Sequence, residues 1–509
     1  MKKEDSQPYL LTRTHSILHF LITRINAQSS FVVLFILFAA NFLTFVPDAN
    51  EEVYLQVSKQ YINPQWIPNS FNLTEFAGAR VLYVYLSGFL LEWTSFEMVT
   101  FTGRLFIIFW LSWSMSALLK KTTIPNTYTL FLLQIIFFSH QSLFGGENFL
   151  LGFEPKHIAY GFLFFALGKL IEQKYIQAIL LITIATWFHI LVGGWFFLAF
   201  LIYLFFTKEV SFKQIILSGI AYGILLSPLV WNLIREILLK APSAQGALTA
   251  DWIYCYFRHP HHTAIFYSMD YFYHHHAAGV LWTVFIAIVT IAIYPRLLSP
   301  TLLPINKLTA VISCLLLVNV VLAFFDKEGH FVKFYPFRLA SIDLWLFYLL
   351  TFSIIVPYFA RQESIQKIII IATLMFFIVS SSLNLYKMVR FIKNRHAPFY
   401  EMTDYIKTHT PVDAIVYFDD ETEDYTYSFI RKSERDRFVM YKFVPSATDN
   451  IYIWYDRILI QDKIKMNPSY IFEAKKKYKI DYALTKDSIR AEGWAELKVI
   501  LPYRLYRLN

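Results

Sequence analysis

Residues 305–325 read INKLTAVISCLLLVNVVLAFF, an apolar run of about the length that a helix needs to cross a lipid bilayer. Similar runs recur through the first 389 residues, and the whole chain of 509 residues is 56% hydrophobic and only 16% charged. A water-soluble chain of this length carries about a quarter charged residues. The composition therefore excludes an ordinary soluble protein and predicts an all-α polytopic membrane domain.

The apolar runs predict eleven membrane-spanning helices, at residues 31–47, 96–119, 124–144, 155–172, 174–190, 191–207, 212–234, 277–295, 305–325, 336–358 and 365–389. The segment 77–91 is apolar but short and has Arg80 near its start, so we expect a helix lying in the outer interface. Lys and Arg collect in the N-terminal segment and in alternate turns, which places the N-terminus in the cytoplasm. An odd number of crossings then places the C-terminus on the outer side.

The charge density changes near the end of the last predicted span. Residues 390–509 hold 21 Lys and Arg and 18 Asp and Glu, about a third of that segment, whereas about a tenth of residues 1–389 is charged. Turn signals and short apolar runs in the charged segment indicate a mixed α/β fold, with a strand, a helix and a second strand at Ala414–Phe418, Ser469–Tyr478 and Asp481–Thr485.

The predicted organisation is a cytoplasmic N-terminal segment, a transmembrane domain and an extracytoplasmic α/β domain, at residues 1–30, 31–394 and 395–509. The outer loops of the transmembrane domain are expected at residues 48–95, 145–154, 235–276 and 326–335. Basic residues beside membrane spans explain the net charge of +9, and no motif of a nucleic-acid-binding fold is present. Two cysteines are too few for a disulfide framework or a zinc signature.

With this topology, the acidic, basic and histidine residues that could form a functional site lie on the outer face. The first outer loop carries Asp48, Glu51 and Glu52 directly after the first span. A carboxylate at the membrane edge is costly unless it is hydrated, paired or used in function. These acids are therefore either functional groups or part of a solvated loop that reinforces the topology.

The second outer loop ends in Glu154-Pro155-Lys156-His157 at the entrance to the next span. An acid, a base and an imidazole lie within four residues, and the proline fixes the backbone at the first helical turn. This combination is typical of a functional site. Glu154 is a candidate general base or cation ligand, while Lys156 and His157 are candidate anion ligands.

The largest outer loop contains Arg258-His259-Pro260-His261-His262 and a later run of three histidines, His274–His276. Three interpretations stay open for it. Arg258 with partly protonated His261 and His262 could bind a phosphate or diphosphate. The imidazoles could instead pack at the headgroup level, or several of them could bind zinc together with Asp270.

Three further outer residues are candidates. His189 lies in an outer turn, where a histidine is either a packing residue or part of a site. Lys333 and Arg338 add cations at the entry to the tenth span. A charge as deep as Arg338 either pairs with a carboxylate or faces a lipid phosphate.

The order of these parts resembles the GT-C superfamily of membrane glycosyltransferases, such as the aminoarabinose and protein O-mannosyl transferases. The first outer loop of that family has an acidic pair followed by Tyr, and an interfacial segment comes after it. An Arg near the start of span two, a second outer loop that ends in an acid-Pro pair and an outer α/β domain complete the resemblance. The matching positions are Asn50-Glu51-Glu52 with Tyr54, residues 77–91, Arg104, Glu154-Pro155 and residues 395–509. The turn THTPVDAIVYF, residues 408–418, also resembles the start of such domains, and EPKH, FHILVGGW and RHPHH resemble a bacterial branch.

The resemblance implies sugar transfer, with inversion, from a polyprenyl-phosphate-linked donor to a glycan, lipid or protein acceptor outside a bacterial cytoplasmic membrane. It implies Asp48, Glu51 and Glu154 as catalytic acids, because Asn50 stands where the family has Asp. It also implies a divalent cation, Mg²⁺ or Mn²⁺, held by Glu154 and Glu51. The implied substrate-binding residues are Glu52, Tyr54, Arg104, Lys156, His157, His189, Arg258, His261, His262, Lys333 and Arg338.

Two other functions stay open. A transporter or flippase of a lipid-linked or anionic glycan would place ionisable groups near the membrane midplane in repeated halves, whereas here they cluster at one face without a repeat. A catalytically silent assembly subunit of the same fold is compatible with Asn50 in place of the family's Asp.

Overall fold

The computed structural model describes residues 7–73, 80–122, 124–139, 141–234, 248–394, 397–418, 420, 424–486 and 491–509. Helices make up the chain as far as residue 394, and a domain with a five-stranded sheet follows. This arrangement agrees with the predicted fold class of a helical membrane domain followed by an α/β domain.

The helices of the first region are α1 (Gln7–Ala27), α2 (Ser30–Phe42), α3 (Ala49–Ile62), α4 (Val81–Trp93), α5 (Phe96–Leu119), α6 (Asn126–Phe138), α7 (Pro155–Ile171), α8 (Tyr175–Phe188), α9 (Ile190–Thr207), α10 (Phe212–Leu225), α11 (Ser227–Leu233), α12 (Ala250–Trp252), α13 (Met269–His275), α14 (Ala277–Ala292), α15 (Leu303–Phe325), α16 (Ala340–Phe359) and α17 (Glu363–Asn394). A π-helical turn, Ile253–Arg258, continues from α12.

Within the described residues, six helices are long and apolar enough to cross a membrane: Phe96–Leu119, Ile190–Thr207, Ala277–Arg296, Pro300–Phe325, Ala340–Phe359 and Glu363–Lys393. The pair Ile17–Ala27 and Ser30–Phe42 is bent by 108° and adds a seventh span if it counts as one. The other predicted spans fall on shorter helices, so their number stays a prediction. The predicted interfacial segment corresponds to α4, and its residues 77–79 lie outside the described residues.

The elements of the C-terminal domain are α18 (Pro398–His409), β1 (Ile415–Phe418), α19 (Phe429–Ser433), β2 (Asp436–Arg437), α20 (Thr448–Met466), α21 (Ile471–Tyr478), β3 (Tyr482–Lys486), β4 (Trp494–Ile500) and β5 (Tyr503–Leu508). The three elements predicted from turn signals correspond to β1, α21 and β3. The sheet has the order β2-β1-β3-β5-β4, with β2, β1 and β3 parallel and the last two strands antiparallel. Val416 pairs with Tyr482 and Phe418 with Leu484, and these side chains pack in one core with Met402 of α18.

A buried ion pair holds the α/β domain against the first outer segment. The Arg431 guanidinium donates from Nε and Nη2 to the two carboxylate oxygens of Glu52, at 2.7 and 2.8 Å. Its third nitrogen, Nη1, donates to Glu97 of α5 at 2.9 Å, and Lys432 donates to the same oxygen at 3.0 Å. A planar guanidinium favours this two-pronged geometry. Arg431 therefore joins the α/β domain to both α3 and α5.

A second anchor lies on the edge strand β2. The buried Asp436 carboxylate accepts hydrogen bonds from the Ser70 hydroxyl, the Phe71 backbone N–H and the Asn72 side-chain amide, at 2.8, 2.8 and 2.9 Å. The Arg457 guanidinium covers the Phe71 ring at 4.0 Å from its centroid. The loop after α3 thus packs against the C-terminal domain. The interface between the helical region and this domain is polar and buried.

We expect Arg431→Met to lower the free energy of unfolding by about 3–5 kcal/mol, because it leaves the buried Glu52 carboxylate without its counter-charge. Denaturant titration of the nanodisc-embedded protein, followed by tryptophan fluorescence, measures the change. Lys432→Met is the matched control: Lys432 is about a third exposed and reaches only Glu97, so its loss costs at most about 1 kcal/mol. Equal effects of the two substitutions would contradict the role given to Arg431.

Candidate functional site

A cavity of about 460 Å³ lies where the helical region meets the α/β domain. Its lining includes four histidines, His189, His259, His261 and His262, together with the amide of Asn50. The charged residues of the lining are Arg80, Glu147, Glu154, Lys156, Arg258, Arg338 and Lys442. Five cations and two carboxylates give these walls a formal charge of +3.

Glu147 is the most strongly paired carboxylate in the cavity. It binds the Arg338 guanidinium directly, and Lys156 Nζ lies 3.4 Å from its other oxygen. Burial raises the pKa of Glu147, but Arg338 first, then Lys156 and His262, outweigh burial and hold the pKa well below its ordinary value. Glu147 is therefore a permanent negative charge and a weak proton acceptor.

Glu154 is the second carboxylate and is only 1% exposed. Its Oε2 lies 3.3 Å from Lys156 Nζ, and its Oε1 accepts a hydrogen bond of 3.4 Å from the Asn50 side chain. It is the residue before α7, whose first position is Pro155. Proline at this position needs no hydrogen-bond partner for its nitrogen and fixes where the helix begins.

The loop that carries Glu147 is shaped by a pair of glycines with positive φ. Gly145 and Gly146 have φ angles of 77° and 60°, which side chains other than glycine rarely adopt. The carbonyl of Gly145 is hydrogen-bonded to Nδ1 of His262 at 2.8 Å. The turn therefore brings Glu147 against the histidine-rich segment.

The three histidines His259, His261 and His262 form a group of neighbouring, tilted rings. The rings of His261 and His262 lie 4.0 Å apart, and Nδ1 of His259 contacts the Tyr254 carbonyl at 3.2 Å. Burial in the cavity wall lowers the pKa of His262 to about 3. This imidazole is neutral at pH 7, which contradicts the expectation of a protonated phosphate clamp at His262.

The predicted catalytic acids of the first loop do not line the cavity. Asp48 caps α3, accepting from the backbone N–H groups of Asn50 and Glu51 at 2.8 and 2.9 Å. The Glu51 carboxylate is fully buried and receives four donors: Arg104 Nε at 2.9 Å, Arg104 Nη2 at 2.5 Å, Phe153 N–H at 2.5 Å and Asp48 N–H at 2.9 Å. No oxygen of Glu51 is left for a substrate hydroxyl.

The same cluster explains the glycine before Glu154. A Cβ atom at Gly152 would lie 2.7 Å from the carboxylates of both Asp48 and Glu51. The second outer loop therefore packs directly on the acids of the first loop.

Eight of the fourteen predicted site residues line the cavity: Tyr54, Glu154, Lys156, His189, Arg258, His261, His262 and Arg338. Besides Asp48 and Glu51, four others lie elsewhere. Glu52 and Arg104 are held in the ion pairs described above, and His157 is buried with Nδ1 at 2.7 Å from the Gly152 carbonyl. Lys333, predicted to bind the substrate, is paired with Asp251 at 2.7 Å and does not line the cavity.

The expected divalent cation does not fit the acids proposed for it. Glu51 is saturated by its four donors, and Glu154 lies beside the ammonium group of Lys156. In the part of the chain that the structure describes, no three or more His, Cys, Asp or Glu side chains are grouped to hold a metal ion. No chemical step is assigned to a metal here.

Several lining residues carry no sequence signal that singles them out. Glu147 lies in the loop of residues 145–154 without a neighbouring base in sequence, and Arg80 looks like the end of an interfacial helix. Tyr427, Tyr441 and Lys442 belong to the C-terminal domain and reach the cavity only through the fold.

We expect Glu51→Gln to lower the free energy of unfolding by about 3 kcal/mol or more, since Arg104 then loses its principal buried counter-charge. Glu154→Gln is the matched control, because Lys156 keeps Glu147 as a partner. Denaturant titrations of both variants in nanodiscs test this. A larger loss in Glu154→Gln would contradict the structural role of Glu51.

The lowered pKa of His262 predicts that the protein loses stability in acid. Its pKa is lower in the folded protein than the ordinary 6.5, so the unfolded chain takes up the proton first, and stability falls as pH drops from about 6.5 towards about 3. Glu147, with its lowered pKa, adds to this loss at the acid end. We expect His262→Gln to flatten the decline in melting temperature between pH 6.5 and 4. The control His274→Gln changes an exposed side chain, and a flattening there as well would contradict the assignment.

No protein-family model matches this chain, and no curated protein matches it. What can be inferred about its function rests on the residues of the cavity.

Proposed function

We propose that the chain is an integral membrane glycosyltransferase. It transfers a sugar, with inversion, from a polyprenyl-phosphate-linked donor to an acceptor at the outer face of the membrane. The observation that carries this proposal is a single cavity whose lining combines two carboxylates with five cations. Such a transfer needs an anion site for the leaving phosphate and a base for the attacking hydroxyl.

The first group of cations belongs to the membrane side of the cavity. Arg80 directly precedes α4, a helix whose large apolar side chains Tyr85 and Phe89 are at least half exposed, as on a lipid-facing helix. The Arg80 guanidinium lies 4.6 Å from the centroid of the Tyr54 ring. Arg338 and Arg80 are also the charges that act most strongly on the His189 imidazole. A lipid carrier can keep its tail in the bilayer while Arg80 and Arg338 bind its phosphate.

Glu154 is the base in this proposal, because Glu147 holds its proton-accepting oxygens in ion pairs. The acceptor hydroxyl attacks the anomeric carbon of the donor sugar as the bond from that carbon to the phosphate oxygen breaks. The hydroxyl proton passes to Glu154, and the bonding electrons leave with the phosphate, whose charge Arg80 and Arg338 stabilise. A single displacement from the opposite side inverts the anomeric configuration.

The proposal includes the topology expected from the sequence. Eleven spans, a cytoplasmic N-terminus and an extracytoplasmic α/β domain place the cavity on the outer side of a bacterial cytoplasmic membrane. The acceptor is a glycan, lipid or protein that is reached from that side.

We expect Glu154→Gln to reduce transfer by at least about 100-fold with the protein still folded, which is the range for loss of a general base. The assay follows radiolabel from short-chain polyprenyl-phosphate sugars into membranes of the cell of origin, which supply the acceptor. Glu172→Gln, at the opposite end of α7 in a lysine cluster, is the control and should retain activity.

Full activity of Glu154→Gln would refute its role as the base. Movement of a lipid-linked glycan across sealed vesicles, without cleavage of any bond, would replace the transferase with a transporter. Neither transfer nor transport would favour a silent assembly subunit.

A further inference from the structure

Two other cations, Arg258 and Lys442, lie on the part of the cavity wall next to the C-terminal domain. Tyr427, Tyr441 and Lys442 of that domain line the cavity together with Arg258 from the π-helical turn. This wall, which we name the domain wall, is made of these four residues. Arg80, at the start of α4, lines the same cavity.

Arg258 is a buried cation without an acidic partner. It is 9% exposed, and its guanidinium donates to two backbone carbonyls, those of Tyr441 at 2.6 Å and Lys442 at 3.4 Å. Among the residues that the structure describes, no carboxylate lies within ion-pair distance of it, and its Nη1 donates to no protein atom. Burying a charge without a counter-charge is costly, so this arrangement indicates an anionic ligand.

Both cations of the domain wall lie over tyrosine rings. The Arg258 guanidinium is 4.7 Å from the centroid of Tyr441, and Lys442 Nζ is 5.1 Å from that of Tyr427. The Tyr441 hydroxyl donates to the Phe257 carbonyl at 2.9 Å, which fixes the ring, and the side chain remains 36% exposed. Aromatic surface beside fixed cations suits a sugar ring that carries an acidic group.

The domain wall is separate from the centre proposed for the donor. Its four residues share no member with Arg80, Arg338 and Glu154, which the proposed reaction uses for the donor and the base, and three of them come from the C-terminal domain.

We propose that the domain wall is the acceptor subsite and that the acceptor is an acidic sugar chain, whose carboxylate or phosphate binds Arg258 and Lys442. This inference rests on the proposed transferase function, since it names the class of its second substrate. The imidazoles of His259, His261 and His262 line the same cavity as this subsite and Glu154, where they can hydrogen-bond sugar hydroxyls.

Direct binding to the full-length protein in nanodiscs tests the proposal. The probes are cellotriose, the matched trisaccharide of β-1,4-linked glucuronic acid, and cellotriose 6-phosphate. Neryl phosphate and neryl diphosphate report on the donor site. The variants are Arg258→Gln and Lys442→Gln, with Arg258→Lys in case the buried glutamine disturbs folding. The control is Lys333→Gln, an outer cation that is paired with Asp251 and absent from the cavity lining.

We expect at least one acidic trisaccharide to bind about tenfold or more tightly than cellotriose, as charge-assisted hydrogen bonds provide. Arg258→Gln and Lys442→Gln should each remove most of that preference and leave neryl phosphate binding unchanged. Lys333→Gln should change neither.

Equal binding of the acidic and neutral trisaccharides would overturn the proposal, and so would a preference that survives both substitutions. Loss of neryl phosphate or diphosphate binding in Arg258→Gln and Lys442→Gln would assign these cations to the donor, which overturns the acceptor subsite but leaves the transferase intact. Failure of the unmodified protein to bind either neryl compound would instead count against the transferase itself, whatever the sugars do.

Discussion

The architecture depends on one turn of helix α3 that is held between two buried arginines. Glu51 pairs with Arg104 of the membrane region, and the next residue, Glu52, pairs with Arg431 of the α/β domain. The side chains of consecutive residues in a helix point about 100° apart, so the two carboxylates can pair with arginines from two different domains. Asn50 and Tyr54, on the same stretch, line the cavity. The two ion pairs therefore fix the position of the part of the cavity wall that Asn50 and Tyr54 form.

This arrangement changes the meaning of the acidic motif in the first outer loop. Acids that look catalytic by their position at the membrane edge have their oxygens occupied by arginines and backbone N–H groups. The cavity-lining acid that stays close to this loop is Glu154, which accepts a hydrogen bond from the Asn50 side-chain amide. Asn50 thus orients a carboxylate without being one.

The sequence predicted the fold class well, because hydropathy and charge density are properties of long segments. The boundary near residue 394 and the elements β1, α21 and β3 followed from local patterns. The number of spans did not, since several apolar helices have only 13 or 14 residues and hydropathy alone cannot say how they cross.

The sequence identified residues that line the cavity where an unusual residue sits at a helix boundary, as with Glu154 and Arg338. It did not foresee that Lys333 and Glu51 lie outside the lining, because each of them pairs with a residue that is distant in sequence. It also missed Lys442, because a lysine in a soluble domain has no local feature that distinguishes a cavity wall from a solvated surface.

The ion pair between Glu52 and Arg431 joins residues 379 positions apart in the chain, and β5, which ends at Leu508, lies in the same sheet as the edge strand that holds Asp436. Synthesis of the chain runs from the N-terminus, so α3 is inserted long before its second arginine exists. During that interval Glu52 lacks its counter-charge and the cavity lacks the residues of the C-terminal domain. The cavity is thus completed only when the last strands have been synthesised and folded, and a nascent chain that stops before them carries the helices without a complete cavity.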